Sequence, residues 1–323
     1  MTERRGARSV GLGYALAATA AALWALNGSI ARFLLDDGVD AFRLAQLRSL
    51  LTFAILAVVL ALARPALLCV RREDLPWLAF LGIAGLAGVH ATYFFAIDRL
   101  QIGVALTIQY VAPLLVLVWL RVALGRRVPR TLWLAAALSL AGCFLVVRAW
   151  DAGSLDGLGL LAALASAAAF ATYLVASERA GHHYPTVTTL AYAVGFASLF
   201  WAFAQPLWSF PLEHFRSPGN VALGAGVAIV GTLLPFLCMV EALRHIPASR
   251  AAVIASLEPA LAAVIAWIVH DEALSAGQIA GGPLVVAAVI WVQSQRLSME
   301  AEAASPASDS SPQTTVQAMR EAR

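Results

Sequence analysis

The chain contains no lysine, and only 13% of its 323 residues are charged, where soluble domains carry roughly 25%. Too little charge is present to cover a water-exposed surface. Cysteine is equally scarce. Cys69, Cys143 and Cys238 lie far apart without C-x-x-C spacing, which indicates neither a disulfide framework nor a zinc site. The net charge of +3 could suit a nucleic-acid binder, but such proteins gather their basic residues on one face. Here the 22 arginines punctuate the ends of apolar segments, so no nucleic-acid partner is expected. Also missing are the H-E-x-x-H and G-x-S-x-G patterns that would place a metal or a nucleophile inside such segments. An intramembrane enzyme is therefore disfavoured, and no catalytic residue, cofactor or metal is expected. Basic residues drawn entirely from arginine, beside abundant alanine, suggest a GC-rich bacterial genome.

What is present is hydrophobic residue, 61% of the chain, with a mean hydropathy of +0.79. A bilayer-spanning helix needs about 20 mostly apolar residues. Hydropathy predicts such helices near 11–33, 43–62, 75–97, 102–121 and 131–148, then near 157–177, 187–206, 220–242, 250–269 and 277–293. Arg4, Arg5 and Arg8 ahead of the first run resemble a signal peptide. That run continues past Asn27 to Leu35, longer than a usual signal, so it reads as an uncleaved first helix. From Ser298 the composition turns to Ser, Pro, Glu and Gln, which predicts a disordered tail over 298–323.

The two sets of five helices are related by a constant shift of 146 residues. It pairs Pro113 with Pro259, Gly11 with Gly157, Gly13 with Gly159, Trp24 with Phe170, Pro65 with Pro211, Gly85 with Gly231 and Ile108 with Ile254, without gaps. Glycine and proline matches at one offset indicate an internal duplication, with one repeat over 1–148 and the other over 149–297. An odd number of helices per repeat forces the second to enter the membrane from the opposite side. The expected fold is thus all-α, about ten transmembrane helices as two inverted five-helix repeats, an arrangement typical of transporters with a midplane site. With the N-terminus placed in the cytoplasm, 16 arginines fall inside and six outside, the latter being Arg32, Arg43, Arg48, Arg99, Arg148 and Arg216. The positive-inside rule then puts both termini in the cytoplasm of a bacterial inner-membrane protein.

Glu258 sits near the middle of the ninth apolar segment, in Ser256-Leu257-Glu258-Pro259. A charge there is expensive, and an intramembrane ionisable residue is a functional candidate by default. Pro113 and Pro259 each remove a backbone bond to the carbonyl four residues earlier, those of Gln109 and Ala255. A freed carbonyl at membrane depth must find a partner or line a cavity, so the two proline kinks point to a central pathway. Pro235 adds a bend to the eighth helix, with no proline partner in the third. Asn27, His90, Tyr93, Gln109, Tyr110 and Tyr173 are polar or aromatic residues well inside spans and are expected to face inward. Arg48 lies a turn and a half into the second span, where it could snorkel or offer a bidentate partner to a substrate carboxylate, with Glu258 receiving an amine or a proton. Trp77, Trp133 and Trp150 read as interfacial anchors. His270-Asp271-Glu272 at the end of the ninth helix point in different directions and read as a solvated boundary.

Taken together, these features resemble the EamA branch of the drug/metabolite transporter superfamily. The resemblance is carried by Gln109-Tyr110-Val111-Ala112-Pro113, by Ser256-Leu257-Glu258-Pro259 with Glu272, by Ala169-Phe170-Ala171-Thr172-Tyr173 with Glu178-Arg179, and by Leu47-Arg48. The chain departs from the family pattern after the fourth helix, where Gly125-Arg126-Arg127 replaces an acidic residue often found there. The resemblance implies ten helices in two inverted repeats and export of amino acids, related metabolites or toxic organic compounds, driven by proton exchange or by the solute gradient. The expected partners are a small-molecule substrate and the lipid bilayer. A lipid or lipid-linked-sugar flippase is the competing expectation.

Overall fold

The structure is a computed structural model that describes residues 2–151, 156–270 and 273–304. Its framework is ten apolar helices: α1 (Ser9–Asp36), α2 (Ala41–Ala63), α3 (Arg72–Ile97), α4 (Val104–Val122), α5 (Arg130–Val146), α6 (Gly157–Gly181), α7 (Thr186–Ala204), α8 (Pro218–Ala242), α9 (Ala248–Val269) and α10 (Ala276–Ser294). Nine are at least 18 residues long, and α5 is slightly shorter. Each end expected from hydropathy lies within four residues of the observed one. At the C-terminus the helix of α10 runs on to Ala304, so 298–304, expected to be disordered, has helical backbone. Residues 305–323 lie outside the described residues, as do Asp271 and Glu272.

Local signals set the helix starts. The Asp40 carboxylate accepts from the backbone N–H groups of Phe42 and Arg43 at 2.9 and 3.1 Å, satisfying donors that the first turn of α2 leaves free. Asp156 caps α6 through Gly159 N at 2.7 Å, and Ser217 caps α8 through Asn220 N at 3.1 Å. The start of α9 is capped from another helix, since Glu178 of α6 accepts from Ala248 N at 2.9 Å. Glu178, one of the residues that carried the family resemblance, thus ties α6 to α9.

Lipid tails are as apolar as leucine, so packing between these helices relies on close van der Waals contact and hydrogen bonds. The partners obey the repeat. α3 packs on α6 as α8 packs on α1, and α4 on α6 as α9 on α1. α2 packs on α7 and α5 on α10, each helix against its own equivalent, so the pseudo-twofold axis runs between them. At the α5–α10 seam two glycines let the backbones touch. A Cβ on Gly281 would stand 2.6 Å from the Gly142 carbonyl, and one on Gly142 2.9 Å from that of Gly281.

The buried core is mostly alanine, leucine and valine, with aromatic rings at its centre. Trp24 meets Phe170 edge on at 6.0 Å and Phe236 at 5.2 Å, while Tyr173 meets Phe236 at 5.3 Å.

Candidate functional site

Four irregularities surround this centre, and they come in two pairs related by the repeat. Helix α4 is interrupted after Gln109 and resumes at Ala112, ahead of Pro113. Helix α9 is interrupted after Ala255 and resumes at Leu257, ahead of Pro259. These are the two kinks that the prolines imply. The second pair carried no proline signal common to both. α3 is π-helical over Leu81–Ala87 and α8 over Ile229–Leu233, positions that coincide under the 146 shift at Gly85 and Gly231. Each glycine faces a residue of the neighbouring helix. A Cβ on Gly85 would press on the Tyr173 backbone at 3.1 Å, and one on Gly231 would collide with the Asn27 side chain. Asn27 and Tyr173 are themselves equivalent under the shift.

At the helix breaks, Tyr110 and Glu258 come together. The Tyr110 hydroxyl donates to Glu258 Oε2 at 2.8 Å, joining the end of the first α4 segment to the start of the second α9 segment. Tyr110 is 2% exposed. Beneath them a small polar cluster closes the α9 break. Ser139 and Ser256 share a short hydroxyl contact, Ser256 Oγ donates to Val253 O at 2.5 Å, and the Cys143 thiol points at Ser256 O at 3.7 Å. Ser139 and Cys143 were not among the sequence candidates. A small polar residue in an Ala-rich helix has no signal of its own, but the 146 shift opposes them with Val285 and Val289, and that mismatch marks them.

Arg48 is buried at 7% exposure and does not snorkel. Its Nε donates to Thr232 Oγ1 at 2.7 Å and its Nη2 to Gly231 O at 2.5 Å, both on the π-helical turn of α8. No ion pair joins Arg48 to Glu258 among the described residues, because the guanidinium is engaged on α8 and the carboxylate on Tyr110. The Tyr93 ring stands against that of Phe94, with centroids 5.8 Å apart.

The remaining candidates are spread around this core. The buried Asn27 Oδ1 has no hydrogen-bond partner among the described residues. His90 lies in the ring layer, stacked on Phe94 at 6.2 Å and against Phe236, its equivalent in the second half, at 6.3 Å. Tyr173 stacks on Phe170 at 6.2 Å. Gln109 turns away from Glu258, and its Oε1 accepts from Ser166 of α6 at 3.0 Å. Trp77 donates to Ala176 O at 3.4 Å under the Arg179 guanidinium, and so serves the α3–α6 seam.

Both ends of the bundle are tied across the two halves. At one end Asn220 Nδ2 donates to Asp37 Oδ2 at 2.6 Å, with His214 Nδ1 3.9 Å from the same oxygen. At the other the Tyr184 hydroxyl donates to Asp74 Oδ2 at 2.5 Å, and Arg71 Nε donates to that oxygen at 3.1 Å. The bond to Asp74, reinforced by Tyr184, keeps the Arg71 guanidinium more firmly protonated than usual. Asp74 and Asn220 are equivalent under the shift, so the ties are versions of one element.

Ten apolar helices among the described residues, in two repeats with equivalent helix breaks, define an all-α, multi-pass membrane protein. The EamA-like transporter family matches the chain twice, over residues 11–148 and 157–293, and the chain belongs to that family. It is similar to the threonine/homoserine exporter RhtA of Escherichia coli (strain K12), 27% identical over 231 residues that cover 72% of this chain and 75% of the exporter. It is also similar to an uncharacterized transporter of Archaeoglobus fulgidus, 27% identical over 82% of this chain and 91% of that protein. A solved crystal structure shares the fold, with a TM-score of 0.75 at 20% identity, covering 90% of this chain and 99% of its own.

Proposed function

We propose that this transporter exports a small neutral amino acid or a related metabolite from a bacterial cytoplasm by alternating access, with Glu258 as the coupling group. The observation that carries the reading is the Tyr110–Glu258 hydrogen bond, which sets a carboxylate between two equivalent helix breaks. An acid at that depth is neutralised either by a proton or by a cationic group of the substrate, and these are the two species that an amino-acid exporter must handle. Asn27, His90, Tyr93, Gln109 and Tyr173 line the surrounding pathway in this reading. The exporters to which the chain is similar are named for threonine and homoserine. The inverted repeat supplies the two alternately open states. The arginine asymmetry supports an inner-membrane protein with cytoplasmic termini.

The test is flux in proteoliposomes of threonine, homoserine and a panel of small organic cations, with and without a pH gradient, beside Glu258→Gln. Threonine or homoserine flux that responds to the gradient in the parent, and no longer does in a folded Glu258→Gln variant, is the expected result. A variant with the parent's gradient dependence would remove Glu258 from coupling. Flux confined to the organic cations would remove the amino-acid assignment.

A further inference from the structure

We infer that Arg48 is a positioning residue, the replacement for a backbone donor that Pro235 takes out of α8, and not a ligand for a substrate carboxylate. Proline has no N–H, so Pro235 cannot donate to the carbonyl four residues earlier, which is that of Gly231. Arg48 Nη2 donates to this carbonyl at 2.5 Å. Its Nε holds Thr232 Oγ1 at 2.7 Å, and that hydroxyl donates to Val227 O at 3.1 Å, so the guanidinium bridges the whole irregular turn. A second α2 side chain helps, since Thr52 Oγ1 donates to Ala228 O at 3.0 Å. In the first half the 146 shift puts Val89 opposite Pro235 and Val194 opposite Arg48. α3 has a π-helical turn in the same place, yet it keeps its N–H and receives no cation from α7. The proline and the arginine occur together in one repeat and are absent together from the other, as expected of a defect and its compensation. The position held packs directly on Asn27, one of the residues of the pathway proposed above.

The transport arm of the test rests on the function proposed above, and the exchange arm does not. Threonine and its carboxamide, threoninamide, serve as probes in proteoliposomes, while hydrogen exchange reads segment 229–234, with 81–87 of α3 as internal control. Arg48→Met keeps the length of the side chain and removes its donors. It is expected to lower kcat for both probes alike with KM kept, and to speed exchange in 229–234 by about ten-fold, the factor one charge-assisted hydrogen bond supplies. Thr232→Val, a milder change, moves the same segment in the same direction. Pro235→Ala restores the N–H, so the double variant Arg48→Met/Pro235→Ala regains both flux and protection. A KM rise for threonine alone, unrescued by Pro235→Ala, would overturn the inference in favour of carboxylate binding. So would parental exchange in 229–234 in both Arg48→Met and Thr232→Val. If the parent moves neither probe, the amino-acid assignment fails, and exchange with its rescue by Pro235→Ala still decides the role of Arg48.

Discussion

Trp24 and Phe170 occupy the same position in the two repeats, and their rings meet edge to face at 6.0 Å with an interplanar angle of 74°. A residue that touches its own equivalent lies on the symmetry axis, so this pair marks where the halves turn against each other. Both rings are buried, and Trp24 also meets Phe236. Edge-to-face pairs contribute about 0.5–1.5 kcal/mol beyond their burial. A double-mutant cycle of Trp24→Leu and Phe170→Leu, read by thermal unfolding in detergent, is expected to give a coupling of about 1 kcal/mol. A coupling of zero would show that the two rings are neighbours without mutual preference.

Tyr110→Phe removes the one side-chain donor that the described residues give the Glu258 carboxylate. A hydrogen bond to a charged group contributes about 1.5–3 kcal/mol, so the variant is expected to lose about ten-fold or more in flux. Glu258→Gln keeps an acceptor for the tyrosine, and adding Tyr110→Phe to it should do far less harm. The measurement is initial flux for the two singles and the double. Equal losses from Tyr110→Phe in both backgrounds would separate the tyrosine from the carboxylate.

The repeat and the α4 and α9 breaks were legible in the sequence because glycine and proline act on the backbone, and Pro113 and Pro259 announce their effect wherever they stand. The π-helical turn of α3 was not. Leu81–Ala87 contains no proline, and its course depends on how closely Gly82 meets Ala193 and Gly85 meets Tyr173, contacts made more than 80 residues away in the chain. Sequence reading expected Gln109 to face inward, but not its partner, Ser166 of α6, which lies 57 residues on in the chain. Arg48 drew attention as a buried charge, but its partners lie 183 and 184 residues on, beyond what local pattern can reveal. Positions where the 146 shift pairs unlike residues, Arg48 with Val194, Glu258 with Ala112 and Cys143 with Val289, mark the groups that the structure gathers around the two helix breaks and the α8 turn.

The two equivalent glycines should respond differently to alanine. On Gly231 the added methyl meets the end of the Asn27 side chain, and on Gly85 it meets the Tyr173 backbone. Overpacking of this kind costs about 1–3 kcal/mol. Gly231→Ala is expected to be relieved by Asn27→Ala, because truncation removes the obstacle. Gly85→Ala is expected to stay impaired with Tyr173→Ala, because the obstacle is main chain. Melting temperatures of the four variants decide it, and relief of both would mean that α3 and α6 adjust more easily than their contact suggests.

Adjacent glycines in α10 supply a matched comparison. A Cβ on Gly281 would stand 2.6 Å from Gly142 O and 2.8 Å from Leu145 Cβ, whereas one on Gly282 would meet nothing within 4 Å. Gly281→Ala should therefore lower thermal stability by about 1–3 kcal/mol. Gly282→Ala should be neutral or raise it by up to about 1 kcal/mol, since alanine loses less backbone entropy in a helix. Equal effects would argue that α5 and α10 are not in backbone contact in the membrane.

The ties at the two ends should control opposite openings. Asn220→Ala removes the bond to Asp37 at one end, and Tyr184→Phe removes the bond to Asp74 at the other. Each such bond contributes about 1 kcal/mol, enough to shift a two-state population several-fold. Spin labels at the exposed positions Leu35 and Trp208 report the Asp37 end, and labels at Leu62 and His182 report the Asp74 end. Asn220→Ala is expected to lengthen the Leu35–Trp208 distance and leave Leu62–His182 unchanged, and Tyr184→Phe to do the reverse. That reciprocity follows from one element serving both ends of an inverted repeat, because loosening one tie favours the state in which the other stays closed. If either substitution lengthened both distances, the ties would hold the bundle together without selecting a side, and alternation would have to come from the helix breaks at Tyr110 and Ser256.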